Sequence, residues 1–205
     1  MRATQHIYLA SRSPRRRELL KQIGVNFEVV LFREYLARGA DVDESPHAGE
    51  LPEDYVRRVV RAKVEAGWSS VTQRRLRYFP VLAADTTVAL GEKIIGKPDN
   101  SEHAARMLHE LSGNTHRVIT AVAVLREDKL ELRLSVTAVR FRALEAQEIQ
   151  RYAATGEPLD KAGGYAIQGL AAAFVAEING SYSGVMGLPL FETAELLRQF
   201  GYHTL

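Results

Sequence analysis

Between Phe79 and Leu90 the chain runs through a strongly apolar, β-prone stretch that reads as a strand, and Asp85, Thr86 and Thr87 interrupt it. A carboxylate inside such a strand is costly unless it is paired, bound to a metal, or placed at the strand's end facing a cleft. An aspartate in that setting can hold a divalent cation or polarise a water molecule. The plainer reading is an Asp that caps a turn where the strand ends.

The remaining segments supply what such a strand packs against. A short strand is expected at His6–Ala10. A helix starts at Pro14 with Ser13 as its N-cap and is ended by Gly24. Phe27–Phe32 reads as a second strand, and Arg33–Pro52 as a polar loop holding Asp41, Asp43 and Glu44. Pro52–Gly67 is helical, with Tyr55, Val59, Ala62 and Ala66 on one face. A turn-rich connection, Gly91–Asn100, leads to a helix capped by Ser101 that runs through Ala104, Met107, Leu108 and Leu111. Two strands, Val118–Leu125 and Leu130–Phe141, precede a helix at Glu145–Ala154, a glycine-rich loop at Asp160–Gly169, a strand at Ala172–Ile178 and a closing helix at Leu188–Phe200. Strands and helices interspersed in this way predict an α/β class: a mixed central sheet with flanking helices, formed by residues 1–205 as one domain.

The strongest second signal is Ser11-Arg12-Ser13-Pro14-Arg15-Arg16, where a strand turns into a helix N-terminus. Free backbone N–H groups and the helix dipole favour an anion there, and guanidinium forks bind phosphate oxygens bidentately. Arginines at that end of a helix oppose the dipole unless an anion offsets them. The alternative is a capped helix with a solvated basic first turn. Gly96-Lys97-Pro98 is a rigid turn presenting one lysine, ordinarily a solvated one. Asp160–Gly169 combines closely spaced glycines, which let backbone approach a ligand, with Gln168, whose amide can read the edge of a base. An ordinary glycine-rich loop would look the same.

Composition excludes several chemistries. The 205 residues contain no cysteine, which removes disulfides, thiolate metal sites and cysteine nucleophiles. The six histidines show no metal-ligand spacing. Net charge is only +2, so no general affinity for nucleic acid or membrane is implied, although 15 of the 27 Lys and Arg precede residue 78. No apolar run approaches the roughly 20 residues of a membrane helix. A cytoplasmic protein is expected.

Taken in order, the segments LASRSPRRRELL, AADTTV, GKP, LSGNTHRVITAV, GEPLDKAGGYAIQG and INGSYSGVMGLPL resemble the Maf family of nucleotide pyrophosphatases, from Ile7 to about Phe200. The branch resembled most acts on dTTP and UTP. The resemblance implies two lobes around a cleft, a fold shared with inosine triphosphate pyrophosphatases, and a homodimer. It implies hydrolysis of a nucleoside triphosphate to monophosphate and pyrophosphate with a divalent cation, Mg²⁺ or Mn²⁺. Asp85 matches the proton acceptor, and Glu44 an acidic residue that, with Asp85, would hold the metal. Arg15, Thr86 and Gln168 match specificity positions. Ser13, Arg16, Lys63 and Lys97 match the phosphate-handling residues. Two rival readings remain: a non-catalytic nucleotide- or nucleic-acid-binding regulator of septum formation, and a pyrophosphatase for another base such as 7-methyl-GTP. Neither nucleic acid nor membrane is expected as a partner of the enzyme.

Overall fold

The computed structural model describes residues 6–31 and 42–204. Asp41, the end of the expected second strand and residues 33–41 of the polar loop lie outside them. A mixed seven-stranded sheet carries strand order β2-β1-β3-β5-β6-β7, with β4 attached to β3. The strands are β1 (Ile7–Leu9), β2 (Phe27–Val29), β3 (Val81–Leu90), β4 (Lys93–Ile95), β5 (Thr115–Arg126), β6 (Lys129–Phe141) and β7 (Val175–Asn179). β1 is parallel to β2 and β3; the other pairs are antiparallel.

The strand period of two sends alternate residues of β1 and β3 to opposite faces. Tyr8, Ala10, Val81 and Ala83 pack in one cluster under α2 (Pro52–Gln73). Ile7, Leu9, Leu82 and Ala84 pack in another with Leu19 and Leu20 of α1 (Pro14–Gln22) and Leu196 and Leu197 near the chain end. A third cluster forms a second lobe. It joins Val88, Val118 and Phe141 of the sheet to α3 (Ser101–Leu111), α4 (Ala146–Ala154) and the glycine-rich segment through Tyr165 and Ile167. A short helix, α5 (Tyr182–Val185), and α6 (Leu190–Gln199) complete the chain. No helix among the described residues is long and apolar enough to cross a membrane.

One edge of β3 is paired with β5 from Val81 to Ala89. The other edge meets β1 at Val81 and Leu82 and β4 only from Val88 onward. Between these two partners the edge is unpaired, and Asp85 lies in the middle of the gap. The gap also lies past the carboxyl end of β1, where open α/β sheets bind ligands.

Several elements differ from the sequence reading. Helix α2 continues through Gly67 to Gln73, because that glycine is there for space. A Cβ on Gly67 would lie 2.8 Å from the Ala10 Cβ and 2.9 Å from a Val81 methyl. The buried stripe of α2 is Val56, Val59, Val60, Lys63, Val64, Gly67 and Val71, spaced three and four apart. Tyr55, Ala62 and Ala66 only border it, so the face expected from sequence missed Lys63. The connection after Gly91 contains β4. Asn100, not Ser101, caps α3, its side chain accepting from the His103 amide. Residues Leu170–Phe174 form a 3₁₀ turn, and the strand there starts at Val175. Gly67→Ala is expected to destabilise the protein by about 1–3 kcal/mol through overpacking, read as a lower urea midpoint.

Candidate functional site

A cleft of ≈ 1090 Å³ opens at the gap in β3, between the two lobes. Its floor is Asp85, buried at 6% exposure. Successive strand residues face opposite sides, so Asp85 points towards α2 and Thr86 towards α1.

On the α2 side, Lys63 is the one charged member of the buried stripe. Its ammonium donates to Asp85 Oδ1 at 2.7 Å and lies 2.9 Å from Glu44 Oε2. The second carboxylate oxygen, Asp85 Oδ2, is buried and has no hydrogen-bond partner among the described residues. Glu44 reaches this spot because its loop is clamped. Arg58 grips Glu50 with a two-pronged fork at 2.7 and 2.8 Å. The same guanidinium donates to the carbonyls of Asp43 and Ser45, on either side of Glu44. Tyr55 donates its hydroxyl to the Glu44 carbonyl.

On the α1 side, Ser13 caps the helix through a long 3.5 Å bond from the Arg16 amide. Arg16 is held at three atoms: Nε donates to the Gly187 carbonyl, Nη1 to Ser11 Oγ and Nη2 to Thr86 Oγ1. Burial lowers the Arg16 pKa, and the Asp85 and Glu44 carboxylates act against that shift. Thr120 donates its single hydroxyl proton to the Gly184 carbonyl. The 2.9 Å contact between the two threonine hydroxyls therefore has Thr86 as donor. Thr86 then accepts from Arg16, and its only proton is committed within the protein.

The remaining candidates come from the second lobe and the cleft rim. Arg15 is half-buried in the first turn of α1 and lines the cleft. Lys97 and Gln168 are both exposed and border the cleft, on the turn after β4 and on the glycine-rich segment. All nine residues singled out in the sequence therefore border one cavity. The sequence reading placed Ser11, Lys161 and Tyr165 within its motifs but gave them, like Thr120, no role of their own. Lys161 lines the cleft and pairs with Asp160; its place in the glycine-rich motif was the available signal. Tyr165 is tied to the buried His116 ring at 2.8 Å, and burial lowers the His116 pKa to about 4, so the ring is neutral near pH 7. Nothing in sequence spacing links His116, Thr120 or Gly187 to the cleft.

The family comparison spans nearly the whole chain. The family model described as "Maf-like protein" matches residues 6–200. The chain belongs to the Maf family. Among curated Maf relatives, the "dTTP/UTP pyrophosphatase" of Nitrosomonas europaea is 59% identical over 95% of this chain and 94% of its own. That of Aromatoleum aromaticum is 58% identical over 96% of each. Of solved structures, the Staphylococcus aureus Ham1 protein aligns at 15% identity and a TM-score of 0.42, over 66% of this chain and 71% of its own, a likeness too slight to add to the fold described above.

The residues of this Maf protein can be tested against a divalent cation. Among the described residues no group of three or more His, Cys, Asp or Glu is placed to hold a metal. Mg²⁺, however, is commonly held by one or two carboxylates together with substrate phosphates and water. The Glu44–Asp85 pair, with Asp85 Oδ2 unpartnered, fits that kind of site.

The loop clamp has a pH signature. The Arg58 fork, aided by the His47 amide, holds the Glu50 pKa at about 2 against an ordinary 4.5. The folded value lies below the unfolded one, so the stability Glu50 contributes is present above about pH 4.5 and is lost as pH falls towards 2. Arg58→Leu should remove that contribution. In urea unfolding, the stability difference between wild type and variant should narrow as the pH is lowered through this window; a constant difference would show that the fork does not set the Glu50 pKa.

Proposed function

We propose that this chain is a cytoplasmic dTTP and UTP pyrophosphatase. It would cleave the bond between the α- and β-phosphates to give the nucleoside monophosphate and pyrophosphate, a role in nucleotide pool sanitation. Residues 1–205 would act as one unit, assembled as a homodimer. The observation that carries the reading is that the gap in β3 faces both a buried carboxylate with an open oxygen and the basic start of α1. The names of the curated relatives support the substrate.

The chemistry follows from the contacts. With Oδ1 committed to Lys63, Asp85 has Oδ2 to accept a hydrogen bond from the attacking water and then its proton. The water oxygen bonds to the α-phosphorus as the bond to the bridging oxygen breaks, and pyrophosphate leaves with that electron pair. Arg16 has five N–H groups; three are engaged by Gly187, Ser11 and Thr86, which leaves two for phosphate oxygens in a fixed orientation. Arg15, Lys97, Ser13 and the N-terminus of α1 would add to the stabilisation of the leaving group. Mg²⁺ or Mn²⁺ bound at Glu44 and Asp85 would supply charge neutralisation and polarise the phosphoryl oxygens. Gln168, whose amide both donates and accepts, would pair with N3–H and the 4-keto oxygen of thymine or uracil. Thr86, its proton spent on Thr120, would act on selectivity as an acceptor or by placing Arg16.

The test is a panel of nucleoside triphosphates with Mg²⁺ or Mn²⁺, assayed separately for pyrophosphate and orthophosphate. Pyrophosphate release from dTTP and UTP is expected. Preferential turnover of 7-methyl-GTP would redirect the substrate, and no release from any nucleotide would favour a binding role in septum regulation. Asp85→Asn is expected to lower kcat by about 10²–10⁴-fold, the usual range for losing a general base, with the fold intact by circular dichroism. Turnover near wild type would remove Asp85 from the mechanism.

A further inference from the structure

Gln168 sits at the tip of a tight turn, with the Gly169 amide donating back to the Ala166 carbonyl at 3.0 Å. The side chain of Gln168 is exposed, so nothing about its own packing explains how it would be held for recognition. The two ends of the turn are held instead, and both lead to one carboxylate. Leu170, on the far side, donates its amide to Glu157 Oε2 at 3.2 Å. Ala166, on the near side, donates its amide to the Tyr152 hydroxyl at 3.2 Å, and that hydroxyl donates to Glu157 Oε1 at 2.9 Å.

We infer that Glu157 is a positioning residue for base selectivity, clasping both ends of the Gln168 turn, directly at Leu170 and through Tyr152 at Ala166. Glu157 touches no substrate in this scheme and lies outside the residues lining the cleft. The inference rests on the reading of Gln168 as the group that contacts the base.

Two further observations fit a clasp. Tyr152 is buried in α4, with its ring edge against Phe174, so its hydroxyl is a fixed relay. Burial and the Glu157 carboxylate push its pKa up, so it stays a proton donor. Gly169 has an ordinary extended backbone, φ −107°, so conformational freedom does not require a glycine there. Space does: a Cβ at Gly169 would lie 2.3–2.4 Å from the Glu157 carboxylate atoms. The turn and the carboxylate can engage only if that position has no side chain.

The experiment measures kcat and KM for dTTP and for dCTP, whose 4-amino group reverses the hydrogen-bonding edge, in four variants checked for folding by thermal melts. Glu157→Ala is expected to reduce the dTTP-over-dCTP preference in kcat/KM by about tenfold or more, the scale at which a mispositioned polar reader loses discrimination. The loss should fall on KM for dTTP, with kcat little changed. Glu157→Gln keeps an acceptor oxygen for the Leu170 amide and reverses the other contact, its amide donating to the Tyr152 oxygen where the carboxylate had accepted, and should retain the preference. Gly169→Ala displaces the carboxylate with Glu157 still present, and should reproduce Glu157→Ala. Gln168→Ala marks the parent reading. If Gln168→Ala loses the preference while Glu157→Ala and Gly169→Ala keep it, the clasp is wrong and the reader stands. If Gln168→Ala keeps the preference, the assigned role of Gln168 fails, and with it the selectivity role of Glu157. The clasp itself is then decided by amide exchange: faster exchange at Leu170 and Ala166 in Glu157→Ala supports it, and unchanged exchange overturns it. Should Glu157→Ala fail to fold, Tyr152→Phe severs the Ala166 arm alone, and an unchanged preference there overturns the relay.

Discussion

Lys63 places one ammonium group between two carboxylates at the floor of the cleft, 2.7 Å from Asp85 and 2.9 Å from Glu44. Without it, Asp85 would be an uncompensated charge inside a strand, and Glu44 would be a like charge brought towards it. Ion pairs near a surface at an effective dielectric of about 20 attract by about 4 kcal/mol at 4 Å, but taking each ion out of water costs several kcal/mol. The two effects largely cancel, so the trio does more to fix geometry than to stabilise the fold. Its geometric consequence is that one oxygen of Asp85 is tied down and the other is left open. The clamp made by Arg58 serves the same arrangement from the other side, holding the carbonyls of Asp43 and Ser45 on either side of Glu44.

The period of a β-strand turns this local arrangement into a two-walled site. Asp85 and Thr86 are neighbours in sequence yet face opposite sides of the sheet. The first is served by α2 and the second by α1, and both open onto the gap because β1 stops short and β4 joins late. On the α1 wall the hydrogen bonds run in one sense, from Arg16 to Thr86 to Thr120 to the Gly184 carbonyl. That ordering fixes which protons remain for a ligand. Arg16 keeps two N–H groups, whereas Thr86 keeps none, so these two residues cannot share one role.

The second lobe is joined to the sheet by buried polar contacts of a different kind. His116, neutral and enclosed by Phe141 and Tyr165, anchors the glycine-rich segment through the Tyr165 hydroxyl. Tyr152 and Glu157 hold the same segment a few residues further along. The segment that presents Gln168 to the cleft is thus pinned at both ends while its tip stays exposed.

The sequence by itself determined the alternation of strands and helices, the anion-favouring start of α1 and the anomaly of a carboxylate in an apolar strand. Each of these is written in residue type and short-range spacing: an N-cap serine before a proline, arginines against a helix dipole, an aspartate among alanines and valines. The set of cleft residues was legible from motifs in order, and the nine singled out line one cavity. Tertiary structure alone decided how they meet. It placed Lys63 on the buried stripe of α2, continued that helix through a glycine kept small for Ala10 and Val81, and made β4 from what reads as a turn. It also gave parts to Thr120, Gly187, His116 and Glu157, whose partners lie up to 171 residues away in sequence. Periodicity reports which face of an element is apolar, but not which side chain from a distant element will satisfy a buried proton. That pairing exists only once the sheet has set the distances.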